Sequence, residues 1–153
     1  MIVRPYLHRV RGRVFNLLHQ AGIGTDGAAE VATGTSDEEA IAAVVAAQPD
    51  VLLIPFHAHH DEAGEQLDGL TLCRRLGEVG SVAGIPVLMP VTRMAAASLR
   101  LMSVTGEHAS VHRELLTTRV LVLADEALDD PVTAARVLTH LRSHGVRADP
   151  SSA

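Results

Sequence analysis

Residues 35–54, TSDEEAIAAVVAAQPDVLLI, contain the start of a helix, its end and the beginning of a buried strand. Ser36 can cap the free backbone N–H groups of a helix while Glu39 reaches back to it, and acidic residues suit the positive end of the helix dipole. Pro49 cannot continue a helix and is expected to end it. Residues 50–56 are then almost continuously apolar, which is typical of a strand covered on both faces in a parallel sheet.

The rest of the chain repeats this alternation of strands and amphipathic helices. Apolar runs predict further strands at residues 1–4, 28–33, 85–89 and 119–124. Apolar spacing predicts helices at residues 6–20, 68–76, 92–104 and 130–145. We expect Asp68 and Asp130 to cap helices and Pro131 to be the first helical residue after Asp130. Pro90 is expected to end a strand. Residues 106–118 predict only a helical turn. The alternation predicts an α/β fold: a three-layer, doubly wound, five-stranded parallel sheet of the flavodoxin-like class.

Composition restricts the classes of function. The chain has 153 residues, 47% hydrophobic and 20% charged, which suits one folded domain, and only 2% aromatic, so the core must be aliphatic. A net charge of -5 argues against nucleic acid as a partner.

The only cysteine, Cys73, is expected to be a core residue. No membrane span or signal peptide is evident, so we expect a cytoplasmic protein. The N-terminal segment is basic and is interpreted as a solvated helix face carrying Arg4, His8, Arg9, Arg11 and Arg13.

Four stretches in this order resemble the receiver domain of bacterial response regulators. They are residues 35–54, residues 68–76 (DGLTLCRRL, similar to the D-G-x-x-L-x-R-x-L start of the third receiver helix), residues 85–92 and residues 130–141. The resemblance extends from about residue 21 to residue 145. It implies a receiver-like domain over residues 1–146, followed by a flexible tail at residues 147–153.

The resemblance also implies where the receiver chemistry would be found. In that family an aspartate ending the third strand is phosphorylated, an acidic pair holds Mg²⁺, a Thr or Ser binds the phosphoryl group and a Lys completes the site. Here Arg4 and Pro5 fall at the acidic pair, and Pro55 falls at the acceptor. Thr92, or the valine before it, falls at the hydroxyl position, and Asp125 begins the segment at the lysine position. The sequence therefore predicts a pseudo-receiver that has lost aspartyl phosphorylation.

The segment HAHHDE, residues 57–62, suggests a different chemistry. His57, His59 and Asp61 form an H-x-H-x-D pattern similar to the metal-binding motif of metallo-β-lactamase-fold hydrolases, in which imidazoles and a carboxylate bind zinc or another divalent metal. That family has a histidine where this chain has Glu62, and the chain is too short for its four-layered fold. The alternatives are a metal site on a receiver-like scaffold and a polar, solvated loop that binds no cofactor.

Two further histidine pairs, His108 with His112 and His140 with His144, have the spacing of one helical turn. Such pairs can chelate zinc, but they are also frequent on helix surfaces. We expect a structural role for both pairs.

The leading prediction from the sequence is a non-enzymatic signal-transduction module that acts by protein–protein interaction. Its partner would be a histidine kinase or a separate effector protein, and the chain would form a homodimer through the region 92–145. The alternatives are a metal-binding protein or metal-dependent hydrolase centred on HAHHDE, and a small-molecule binder at the carboxyl ends of the strands.

Overall fold

The computed structural model describes residues 1–3, 8–24, 29–32, 35–56, 59–60 and 66–146. The strands of the main sheet are β1 (Ile2–Val3), β2 (Glu30–Val31), β3 (Leu52–Leu53), β6 (Val87–Val91) and β7 (Val120–Ala124), and a separate pair consists of β4 (His59–His60) and β5 (Gln66–Leu67). The helices are α1 (His8–Gln20), α2 (Asp37–Ala47), α3 (Gly69–Leu76), α4 (Ala96–Met102), α5 (Ala109–Thr118) and α6 (Pro131–Ser143).

The main sheet has five parallel strands in the order β2-β1-β3-β6-β7. Its central register pairs Ile2 with Leu53, Leu53 with Leu88 and Leu88 with Leu121. This arrangement confirms the predicted three-layer, five-stranded, flavodoxin-like α/β fold.

The predicted helix starts are confirmed by their caps. The hydroxyl of Ser36 accepts a hydrogen bond from the Glu39 N–H at 3.1 Å, and the carboxylate of Asp68 caps α3 in the same way. Asp130 accepts from the N–H of Val132 at 3.0 Å, with a proline at the first helical position of α6. Within the described ranges no helix combines the length and the apolar composition needed to span a membrane.

The hydrophobic core lies on both faces of the sheet. On one face Leu52 and Ile54 pack with apolar residues of α2 and α3. On the other face Leu53 packs with Leu17 of α1 and Leu141 of α6. Because successive strand residues point to opposite faces, the unbroken apolar run of β3 is buried on both sides, as predicted.

Pro90 does not end its strand, contrary to the prediction. β6 continues through it to Val91, and the register pairs Pro90 with Leu123. The carbonyl of Pro90 still accepts a hydrogen bond from the Phe56 N–H at 3.0 Å, so the proline removes only its own donor from the ladder.

Two segments contain more regular structure than the sequence predicted. Residues 106–118 include the ten-residue helix α5, so two helices rather than one connect β6 to β7. After Phe56, the short strands β4 and β5 pair antiparallel, with His59 opposite Leu67. The strands β1, β2 and β3 are shorter than the predicted ranges.

Candidate functional site

The carboxyl ends of β3, β6 and β7 lie at one edge of the sheet and carry three of the predicted site residues. Val91 pairs with Ala124, so Thr92 and Asp125 are the next residues of two neighbouring strands. On the other side of β6, hydrogen bonds from the backbone N–H groups of residues 54 and 56 to the carbonyls of residues 88 and 90 place Pro55 level with the last residues of that strand. The edge therefore brings together Pro55, Thr92 and Asp125.

Pro55 is buried at the end of β3, directly beneath the first turn of α3. A Cβ atom added to Gly69 would lie 3.0 Å from the Pro55 carbonyl carbon, and it would overlap the carbonyl oxygen. The side chain of Pro55 has no nucleophilic, acidic or metal-binding atom. At this point β3 therefore supplies packing and a carbonyl group, without a carboxylate.

Thr92 is half-buried, and its oxygen already has a local role. Its hydroxyl accepts a hydrogen bond from the Ala95 N–H at 3.2 Å, and its carbonyl accepts from the N–H groups of Ala95 and Ala96 at 3.1 Å. The preceding residue, Val91, is buried and apolar. Thr92 is thus the residue with a hydroxyl at this strand end, and it stabilises the turn that leads into α4.

Asp125 begins a 3-10 turn after β7, and a cation approaches that turn from α1. The guanidinium of Arg13 donates to the backbone carbonyl of Asp125 at 2.7 Å and forms an ion pair with Asp129 at 3.0 Å. The sequence interpretation placed Arg13 on a solvated helix face; its side chain is 36% exposed and makes in addition this contact, which the interpretation did not include. No local signal could have indicated a contact between positions 112 residues apart.

The remaining predicted site residues are mostly outside the described part of the chain. Arg4, Pro5, His57 and Asp61 all lie there. His59 belongs to β4. Among the described residues no group of three or more His, Cys, Asp or Glu side chains could hold a metal ion. The observed fold is not the four-layered fold that the hydrolase resemblance would require, whereas a metal site at residues 57–61 stays a prediction.

Three of the four histidines in the pairs at helical spacing contact backbone carbonyls, in agreement with the structural role expected of them. His112 is buried, and its Nδ1 donates to the carbonyl that ends α4 at 2.9 Å. His140 donates from Nε2 to the carbonyl of Arg119, and His144 donates to the carbonyl that ends α5. Burial lowers the pKa of His140, which favours the neutral imidazole.

Cys73 is fully buried in the core, as predicted. Burial raises the pKa of its thiol to about 12. Because the thiolate is the nucleophilic form of cysteine, this side chain is not suited to covalent catalysis.

Comparisons with known proteins support the fold. No family model matches the chain, and no curated protein matches it. Among solved structures, a putative response regulator from Chloroflexus aurantiacus J-10-fl is 20% identical with a TM-score of 0.54, over 92% of this chain and 95% of that one. Vibrio cholerae chemotaxis protein CheY4 is 17% identical with a TM-score of 0.51 over the same shares. NtrX from Brucella abortus is 17% identical with a TM-score of 0.50, and this chain spans only 27% of its length.

These similarities establish a receiver-like fold. At such sequence identities they do not transfer a phosphorylation site or a partner.

Proposed function

We propose that this chain is a non-enzymatic signal-transduction module, a pseudo-receiver that acts by protein–protein interaction without aspartyl phosphorylation. The observation that carries the proposal is Pro55 at the buried end of β3, where the resembling family has its phospho-acceptor aspartate. A proline cannot attack phosphorus, because it has no side-chain oxygen.

The other positions of the resemblance support the same proposal. The acidic pair is replaced in the sequence by Arg4 and Pro5, and an arginine would repel Mg²⁺. Asp125 stands where the family has its lysine, so the charge at that position is reversed. A dianionic phosphoryl group would meet a carboxylate there instead of an ammonium group. Only Thr92 retains a group that the family uses.

The proposal is tested by incubating the full chain with acetyl phosphate and Mg²⁺ and measuring its intact mass. We expect an unchanged mass, while a receiver domain with an intact aspartate gains one phosphoryl group in the same buffer. The variant Pro55→Asp should also stay unmodified, because it restores the acceptor without the metal site or the lysine. A stable phosphoryl group on the unaltered chain would contradict the proposal.

The proposed interaction surface includes α4 and its flanking turns, within the region 92–145. Met94 is 92% exposed, Leu101 57% and Val104 60%, although all three side chains are apolar. Apolar side chains exposed close together in sequence are typical of contact surfaces. We propose that this surface forms a homodimer or binds a histidine kinase or an effector protein.

Sedimentation velocity over a range of concentrations tests the homodimer. We expect a concentration-dependent dimer that Leu101→Gln weakens. The matched control is Val45→Gln on α2, where the valine is 37% exposed and lies outside the proposed surface. Equal weakening by both variants would contradict the proposed surface, and a strictly monomeric chain would leave only the heterologous partners.

A further inference from the structure

A cavity of about 390 Å³ lies between α3 and α5, next to the start of β7. Arg119, which lines it, immediately precedes β7, whereas Asp125 immediately follows that strand. The cavity is therefore at the opposite edge of the sheet from the corner formed by Pro55, Thr92 and Asp125. Its volume is within the range of small-molecule sites, about 300–1,000 Å³.

Arg119 contributes a buried positive charge to this cavity. The residue is only 5% exposed, and it donates from Nε to the Ile85 carbonyl at 2.7 Å and from Nη2 to the Val82 carbonyl at 2.8 Å. Its Nη1 has no hydrogen-bond partner within the described part of the chain, and no described carboxylate forms an ion pair with it. A buried cation held by two neutral carbonyls is an unusual arrangement, because charges in protein interiors are normally paired.

A second guanidinium, that of Arg74 on α3, lines the same cavity. Its side chain is 18% exposed, and its Nε is buried without a hydrogen-bond partner among the residues described. Its Nη1 forms an ion pair with the exposed Glu78 at 3.6 Å, a distance too long for a hydrogen bond. Gly77 lies between the two arginines in the lining, and a Cβ there would contact the Arg119 Nη1 at 3.8 Å.

The remaining lining restricts the kind of anion. Val111 and Leu115 provide an apolar wall, which suits a hydrocarbon group. Glu78 and Glu114 also line the cavity but are exposed to solvent, so they would repel a phosphate or another polyanion at the entrance. The geometry points to a binding site for a small monocarboxylate with an apolar body, its carboxylate between Arg119 and Arg74 and its apolar group against α5. This site is independent of the function proposed above.

The probe for this site is 3-methylbutanoate, compared with 3-methylbutanamide, which has nearly the same shape but no charge. We expect a saturable rise in the melting temperature of the full chain with the carboxylate only, and a matching shift of the arginine Nε–H signals in NMR spectra. Inorganic phosphate should give neither effect. Equal binding of the amide, tighter binding of phosphate, or no saturable effect from the carboxylate would each overturn the assignment and leave Arg119 as a structural residue.

Variants locate the binding without removing the buried Arg119. Arg74→Gln should weaken 3-methylbutanoate at least roughly tenfold, the value expected for one lost charge-assisted hydrogen bond. Val111→Phe should abolish binding by filling the cavity from a residue that is 44% exposed, so the fold should tolerate it. Val45→Phe, at the similarly exposed valine of α2, should bind like the unaltered chain. Unchanged affinity in Arg74→Gln and Val111→Phe would place any bound carboxylate elsewhere and refute the proposed site.

Discussion

The contact between Gly69 and Pro55 predicts that a single added methyl group destabilises the protein. In Gly69→Ala the new Cβ would lie 3.0 Å from the Pro55 carbonyl carbon and 3.1 Å from Cγ2 of Ile54, and it would overlap the Pro55 oxygen. That carbonyl cannot move aside easily. The N–H groups of Ile54 and Phe56 on either side of it are hydrogen-bonded to β6 at 3.0 Å, and the proline ring fixes the backbone dihedral φ.

Two effects of opposite sign determine the size of the change. Overpacking a rigid contact of this kind costs about 1–3 kcal/mol. Replacing glycine by alanine in a helix interior gains at most about 1 kcal/mol, and less at a first helical residue such as Gly69. We therefore expect Gly69→Ala to lower the free energy of unfolding by about 1–2 kcal/mol. For a chain of 153 residues this corresponds to a fall of several degrees in melting temperature, at roughly 2–4 °C per kcal/mol.

Urea denaturation of Gly69→Ala and Gly12→Ala measures the two effects separately. Gly12 lies inside α1, and a Cβ there would meet nothing within 4 Å. Gly12→Ala should therefore raise the free energy of unfolding by about 0.5–1 kcal/mol. If Gly69→Ala were as stable as the unaltered chain while Gly12→Ala gained the expected amount, the packing of α3 on the end of β3 would be refuted.

Two further predictions concern the cap of α3 and a histidine on α6. Asp68→Ala should lower the free energy of unfolding by about 0.5–2 kcal/mol in urea denaturation. The substitution removes the carboxylate that accepts hydrogen bonds from the Thr71 N–H and hydroxyl, both at 2.8 Å. A loss no larger than that of Asp68→Asn would contradict this role. Burial lowers the pKa of His140 below its usual 6.5, so the unfolded chain binds the proton more readily. The stabilisation by neutral His140 is complete above pH 6.5 and is lost as the pH falls through the pKa of the folded state. In acid denaturation curves the unaltered chain should therefore lose more stability than His140→Gln. Parallel curves would exclude this contribution.

The sequence was informative where a structural signal was local. The caps of α2, α3 and α6 follow from Ser36, Asp68 and Asp130, because an N-cap needs only a side-chain oxygen and the next turn of backbone. The two-sided burial of β3 was also readable, since no alternation interrupts residues 50–56. These local signals were sufficient to predict the fold class.

Tertiary contacts explain what the sequence did not predict. Pro90 was expected to end its strand, but its backbone faces residues 54–56, past the last residue of β3, so β6 still pairs with β7 through Val91. The helix α5 was missed because its buried residues are Ala109 and the polar His112, which makes its apolar face weak. The contact between Arg13 and the Asp125 carbonyl, like the cavity beside Arg119, depends on elements that are distant in the chain.

The corner at the carboxyl edge differs from a working phosphorylation site in how its groups are already used. Pro55 supports the first turn of α3, the Thr92 oxygen accepts from the turn before α4, and the Asp125 carbonyl accepts from Arg13. A group that must bind a metal ion or a phosphoryl group has to be available for that ligand, and active sites commonly sacrifice stability to keep such groups unpaired. Here the same positions are occupied by contacts that stabilise the fold. Under the proposed function, a change of state in this protein therefore has to begin at a surface other than this corner. Among the described residues, the exposed apolar side chains around α4 and the cavity beside Arg119 are the surfaces that we propose for contact with a partner or a ligand.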